Sequence, residues 1–219
     1  MIKYLSPLEK MLLVSVAFTM SLLTIRVLYT QELTYIFYAW NTFLGILPLV
    51  FSHILLRQHK YNIKALLLIG CWLAFFPNAA YLITDLFHYE EKPPMPKWYD
   101  LLLVTTAAWN GLLLGIVSLM QVEQYLLRHM RVRWVRRLVI ISFILCGYGV
   151  YIGRYLRFNS WDAVTNPQKL LETFAGHLFL PHQHLSAWAF TLSFGAMFGI
   201  VYFTLKQFQI ATIRLQVKH

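Results

Sequence analysis

Phe76-Pro77-Asn78-Ala79-Ala80-Tyr81-Leu82-Ile83-Thr84-Asp85-Leu86-Phe87-His88 closes an apolar run that opens near Lys64. A run of that length suits a helix crossing the hydrocarbon of a bilayer, which takes about 20 residues. Its last third nevertheless holds a proline, an asparagine, a tyrosine, an aspartate and a histidine. At about 100° per residue, Asn78, Tyr81, Asp85 and His88 share one arc of the helix. Polar groups at membrane depth are costly unless they face protein or water. The stripe therefore predicts a polar site at one end of this span.

The rest of the chain has the same character. Of 219 residues, 58% are hydrophobic and 13% charged, and the mean hydropathy is +0.55. A soluble domain carries about 25% charged residues. The composition predicts a single polytopic membrane domain over residues 1–219: an all-α bundle of six transmembrane helices, near 11–29, 34–55, 64–84, 100–120, 136–156 and 186–206. None of these runs alternates as a membrane β-strand would. No small-x-small cleavage signal follows the first run, which reads as an uncleaved span. Cys71 and Cys146 lie inside apolar runs and read as packing residues, not a disulfide.

The net charge of +10 does not point to nucleic acid, because the basic residues collect in short segments between spans. Thirteen Lys and Arg fall on one side of the six-span arrangement and six on the other. The richer side is the cytoplasmic one by the positive-inside rule, which predicts both termini inside. The end of span three, Asp100 after Trp98-Tyr99, and the end of span five then face outward. The basic link Arg128, Arg131, Arg133, Arg136 and Arg137 reads as a cytoplasmic orientation signal with attraction to anionic lipid.

Further polar residues lie in spans four and five, Asn110 roughly 15 Å below Asp100 and so near mid-bilayer. Asn110 is an i,i+4 neighbour of Thr106 in span four, followed by Gly111-x-x-x-Gly115, a pattern of close helix packing. Span five ends in Arg154, Arg157, Asn159, Ser160, Trp161 and Asp162. Asn166-Pro167 is a helix start, and Leu170, Leu171, Phe174 and Leu178 give an amphipathic face. A short helix on the outer surface is expected there, followed by His177, His182 and His184.

The motifs Pro77-Asn78-Ala79-x-Tyr81-x-x-Thr84-Asp85-x-x-His88, Trp98-Tyr99-Asp100, Trp109-Asn110-Gly111 and Gly153-Arg154-x-x-Arg157-x-Asn159-Ser160-Trp161-Asp162 resemble a bacterial family of predicted integral membrane proteins of unknown function, of the domain of unknown function 1361 type. The resemblance spans most of the chain from span two to span six. It implies a multi-pass protein of the bacterial cytoplasmic membrane and assigns no catalytic role.

Residue chemistry supplies the rest. Three carboxylates, two guanidiniums and a histidine near one face can recognise an anionic envelope lipid or glycolipid, since arginine forks match phosphate geometry. Asn78, Tyr81, Asn110, Arg154, Arg157, Asn159, Trp161 and Asp162 are the candidate ligand-binding residues. If the site is catalytic, Asp85, His88 and Asp100 are its candidates, with Asp85 or His88 as general base. A divalent metal is a further possibility, on Asp85, His88 and His177. Two other readings compete: a structural lattice in which Arg154 or Arg157 pairs with Asp85, Asp100 or Asp162 and staples helices, and a transporter whose third span is broken at Pro77.

Overall fold

The computed structural model describes residues 5–90, 93–159 and 161–217. Its described residues are helical and contain no strand. The long helices are α1 (Pro7–Thr30), α2 (Phe37–Leu56), α3 (Ile63–Thr84), α4 (Lys97–Leu127), α5 (Val132–Tyr155) and α8 (Leu185–Val217). All six contain a stretch long and apolar enough to cross a membrane. Between α5 and α8 lie a one-turn helix, α6 (Asp162–Thr165), and α7 (Pro167–Phe179). The expected helix after Asn166 thus forms, with proline in its first turn.

Packing divides the chain into two compact units, Met1–Met130 and Arg131–His219. In the first, α2 packs along α3 and α4, and α1 leans chiefly on α4. One apolar cluster joins Leu22 and Leu23 of α1 to Tyr38 of α2, Leu82 of α3 and Leu103 and Ala107 of α4. A second joins Leu12 and Val16 to Leu49 and Leu114. Close approach depends on Gly111, where an added Cβ would collide with the Ala79 carbonyl of α3. In the second unit α5 packs on α8. There Gly147 lies against the Thr191 carbonyl, and a Cβ on Gly195 would stand 2.8 Å from the Phe143 carbonyl. Gly111 and Gly195, each the first glycine of a G-x-x-x-G, thus stand where two backbones meet.

Two expectations need correction. Span three is not broken at Pro77: α3 runs through it to Thr84 and then tightens into a 3-10 turn, Asp85–His88. A proline costs one i→i−4 bond, which membrane helices tolerate where neighbours cover the freed carbonyl. Span four does not stop near 120 but continues to Leu127. Its polar Gln121, which ends the apolar run, is held by other polar side chains.

Candidate functional site

In the first unit buried polar residues pair in separate sets that bridge helices. Arg26 and Asp100 are 0% and 1% exposed at their side chains. Arg26 Nε donates to Asp100 Oδ1 at 2.7 Å and Nη2 donates to Oδ2 at 3.2 Å. Its Nη1 has no hydrogen-bond partner among the described residues. The guanidinium instead lies 4.4 Å from the Tyr35 ring centroid, where the ring face offers negative potential. Asp100 stands in the first turn of α4, the end at which the helix dipole favours an acid, and Tyr99 Oη donates to the Leu22 carbonyl at 2.8 Å. The partner of Asp100 is thus Arg26 on α1.

Asp85 is 1% exposed. Its Oδ2 accepts from Asn41 Nδ2 at 2.8 Å, and its carbonyl accepts from Tyr38 Oη at 3.0 Å. His88, one 3-10 turn on, is exposed, with its ring edge-on to Phe37 at 5.4 Å. Asn78 and Tyr81 are half-buried, and Asn78 Nδ2 donates to the Phe75 carbonyl of its own helix. Asn110 is fully buried and faces α1: its Nδ2 donates to Thr19 Oγ1 at 2.8 Å and to the Ser15 carbonyl at 3.2 Å, while Oδ1 accepts from Ser15 Oγ at 2.6 Å.

A second buried network lies near the start of α1, and sequence reasoning passed over it. Glu9 is 3% exposed. Its Oε1 lies 2.6 Å from His53 Nδ1 and accepts from Gln121 Nε2 at 2.9 Å, and its Oε2 accepts from Ser6 N at 2.7 Å. Ser52 Oγ donates to Gln121 Oε1 at 2.7 Å. The signal was available: Ser6-x-x-Glu9 is a capping box ahead of an apolar run, and the structure forms it. Arg26 was likewise legible as an ionisable group inside a span, which requires a partner.

The second unit holds the remaining candidates. Arg154 is half-buried near the end of α5. Arg157 is exposed and stops the helix in the left-handed region, φ 59°. Phe158 N closes back over it onto the Ile152 carbonyl at 3.1 Å. Asn159 and Trp161 are exposed. Asp162 is engaged locally: its Oδ2 accepts from Asn159 N at 2.6 Å and its Oδ1 from Thr165 Oγ1 at 3.3 Å. That backbone donor, with help from Asn166 and Thr165 and against the opposing effect of burial, holds the Asp162 carboxyl below the usual carboxylate range. Ser160 lies outside the described residues.

His177 is 5% exposed. Its Nδ1 lies 3.0 Å from Tyr148 Oη, and its carbonyl accepts from Trp188 Nε1 at 2.8 Å. The His184 ring sits 4.4 Å from the His177 ring, and Tyr151 packs on the same ring at 5.9 Å. Burial, seconded by His184, lowers the His177 pKa below the ordinary value. On α7 this leaves three arcs. Leu170 and His177 face the unit's own side chains; Gln168, Lys169, Glu172 and Thr173 form a polar arc; Leu171, Phe174 and Leu178 form an apolar arc that is still 66%, 37% and 49% exposed. Phe179, just beyond, is 78% exposed.

Among the described residues no group of three or more His, Cys, Asp or Glu stands together as a metal-ligand set. Asp85 and His88 belong to the first unit and His177 to the second.

Six apolar helices with polar side chains clasped at buried positions define a multi-pass helical membrane protein. Comparison with curated proteins and with solved structures returned no match. A family model does match, over residues 40–201, and the chain belongs to that family, described as a protein of unknown function (DUF1361). The matched region takes in most of α2, all of α3 to α7 and the first half of α8.

Proposed function

We propose that the chain binds an anionic lipid or glycolipid through the connection between α5 and α8, at the outer leaflet of a bacterial cytoplasmic membrane. The observation that carries this is Arg157. A non-glycine residue in the left-handed region costs about 1–2 kcal/mol, and helix stops of this kind favour glycine. Strain at such a position points to a use for the side chain. Arg157 is exposed and directly precedes Phe158, whose ring receives the Lys169 ammonium at 5.7 Å. Next to these cations, α7 offers an apolar arc that its own unit does not cover. A helix with that division lies in a membrane interface, apolar arc down and polar arc toward water. The headgroup would meet Arg157 and Lys169, with Arg154, Asn159 and Trp161 close in sequence. The outward placement follows from the Lys and Arg distribution.

The test separates ligand from fold. Arg157→Gly relieves the strained stop, so thermal stability in detergent should stay level or rise. Binding of phosphatidylglycerol by the purified protein, counted by native mass spectrometry, should weaken about fivefold, the effect of one basic residue at an anionic surface. Unchanged binding in this variant would overturn the proposal.

A second reading holds for the first unit. We infer that Arg26–Asp100, Asp85–Asn41 and Asn110 with Ser15 and Thr19 staple helices, because each set joins two elements through side chains that are buried or partly buried.

A further inference from the structure

The opposite end of α5 carries a different cluster. Arg131 is the N-cap residue, and Arg133, Arg136 and Arg137 follow within two turns, with no acid in the first turn. Cations at this end of a helix oppose its dipole, so the stability of α5 does not explain collecting them. None of the four is ion-paired among the described residues, and all four are exposed. At about 100° per residue, Arg133, Arg136 and Arg137 fall within one arc of roughly 100°. Val135 and Val139, 1% and 3% exposed, occupy the opposite side of the helix. Trp134 flanks the arc, 55% exposed, with the Arg137 guanidinium 4.8 Å from its ring centroid. Val132 and Leu138 beside it are 60% and 39% exposed. Three guanidiniums on one arc, an exposed indole and exposed aliphatic carbons match a bilayer interface. The guanidiniums suit phosphate oxygens, and the indole sits at headgroup level.

We propose that Arg133, Arg136 and Arg137, with Trp134, form a binding site for the phosphate of anionic phospholipid headgroups at the start of α5. This site is separate from the one proposed at Arg157. The 24 residues of α5 span about 36 Å, so one helix presents a cationic and aromatic group to each interface. The apolar lining carbons assign the phosphate to a lipid and not to a soluble anion.

The test uses the full chain in nanodiscs, with brominated phosphatidylglycerol or brominated phosphatidylcholine at equal mole fraction as the probe. The quenching of Trp134 is read as the difference between wild type and Trp134→Phe. Phosphatidylglycerol should quench Trp134 more strongly, and 0.5 M NaCl should remove the preference, since exposed charges are screened within a few ångströms at such salt. Arg136→Gln with Arg137→Gln should weaken the preference at least about fivefold, while Arg136→Lys with Arg137→Lys retains most of it. Arg157→Gly should leave it intact, so failure here and failure of the Arg157 reading are told apart. Equal quenching by both lipids in wild type overturns the proposal, as does a preference that survives salt or the double glutamine variant. Loss of the preference in 10 mM inorganic phosphate at constant ionic strength would assign the site to a soluble anion and overturn it as a lipid site.

Discussion

Asp100 shows what a single buried charge does in this fold. Its two oxygens accept from Nε and Nη2 of Arg26, and both side chains are closed to solvent. Removing one partner of such a pair leaves an uncompensated buried charge, at a cost of about 3–5 kcal/mol. Asp100→Asn should therefore lower the unfolding free energy by that order, measured by denaturation of the purified protein in mixed micelles. Arg26→Met with Asp100→Leu should recover most of the loss; a double variant as unstable as the single one would contradict the staple. The pair was hidden from the sequence because spacing arguments relate residues on one helix, whereas Arg26 and Asp100 are 74 positions apart. Arg26 lies inside the first apolar run, which marks a charge in need of a partner but does not name Asp100. Asp85 was legible as a polar residue needing a partner, but nothing in its spacing named Asn41.

At the scale of the element, α7 is the informative one. The sequence places it well, because Asn166-Pro167 starts a helix by a local rule and the apolar spacing continues to Leu178. What it could not show is that His177 turns inward. The docked state disfavours the charged form of His177, which faces Tyr148, Tyr151 and His184 and accepts through its carbonyl from Trp188. Its folded pKa is depressed below the ordinary 6.5, so the undocked state takes up a proton first as pH falls. Docking should be insensitive to pH well above about 6.5 and should weaken as pH drops below it. Amide exchange across 167–179 in nanodiscs should rise between pH 7 and 5, and Tyr148→Phe should exchange faster at pH 7. Flat exchange over that range would contradict a docking that depends on His177. The packing of α5 on α8 makes a separate prediction. Gly147 abuts the Thr191 carbonyl, so Gly147→Ala should cost about 1–3 kcal/mol through overpacking, read as a lower midpoint of thermal unfolding. The G-x-x-x-G at Gly195 and Gly199 announced this contact, while its partner Gly147 lies outside any such pattern.

For the whole molecule, the six spans were legible because hydropathy and length decide them with little help from tertiary structure. Their ends were less so. Gln121 and Glu123 close the apolar run of α4, yet the helix continues, since Gln121 bonds to Glu9 and Ser52. The polar site anticipated at one membrane face mixed two populations that the sequence could not sort: residues that join helices within the first unit, and exposed residues of the α5–α8 connection. The central claim is that this connection lies on the bilayer surface opposite the arginines that begin α5. The most direct measurement is nitroxide accessibility at Leu171→Cys, Glu172→Cys, Leu178→Cys and Arg133→Cys, one at a time, with Cys71 and Cys146 replaced by alanine, in nanodiscs containing phosphatidylglycerol. The account predicts oxygen-accessible labels at 171 and 178, a label at 172 open to a water-soluble nickel chelate, and a label at 133 on the other face. Equal nickel accessibility at 171 and 172, or labels at 133 and 172 on the same face, would contradict it.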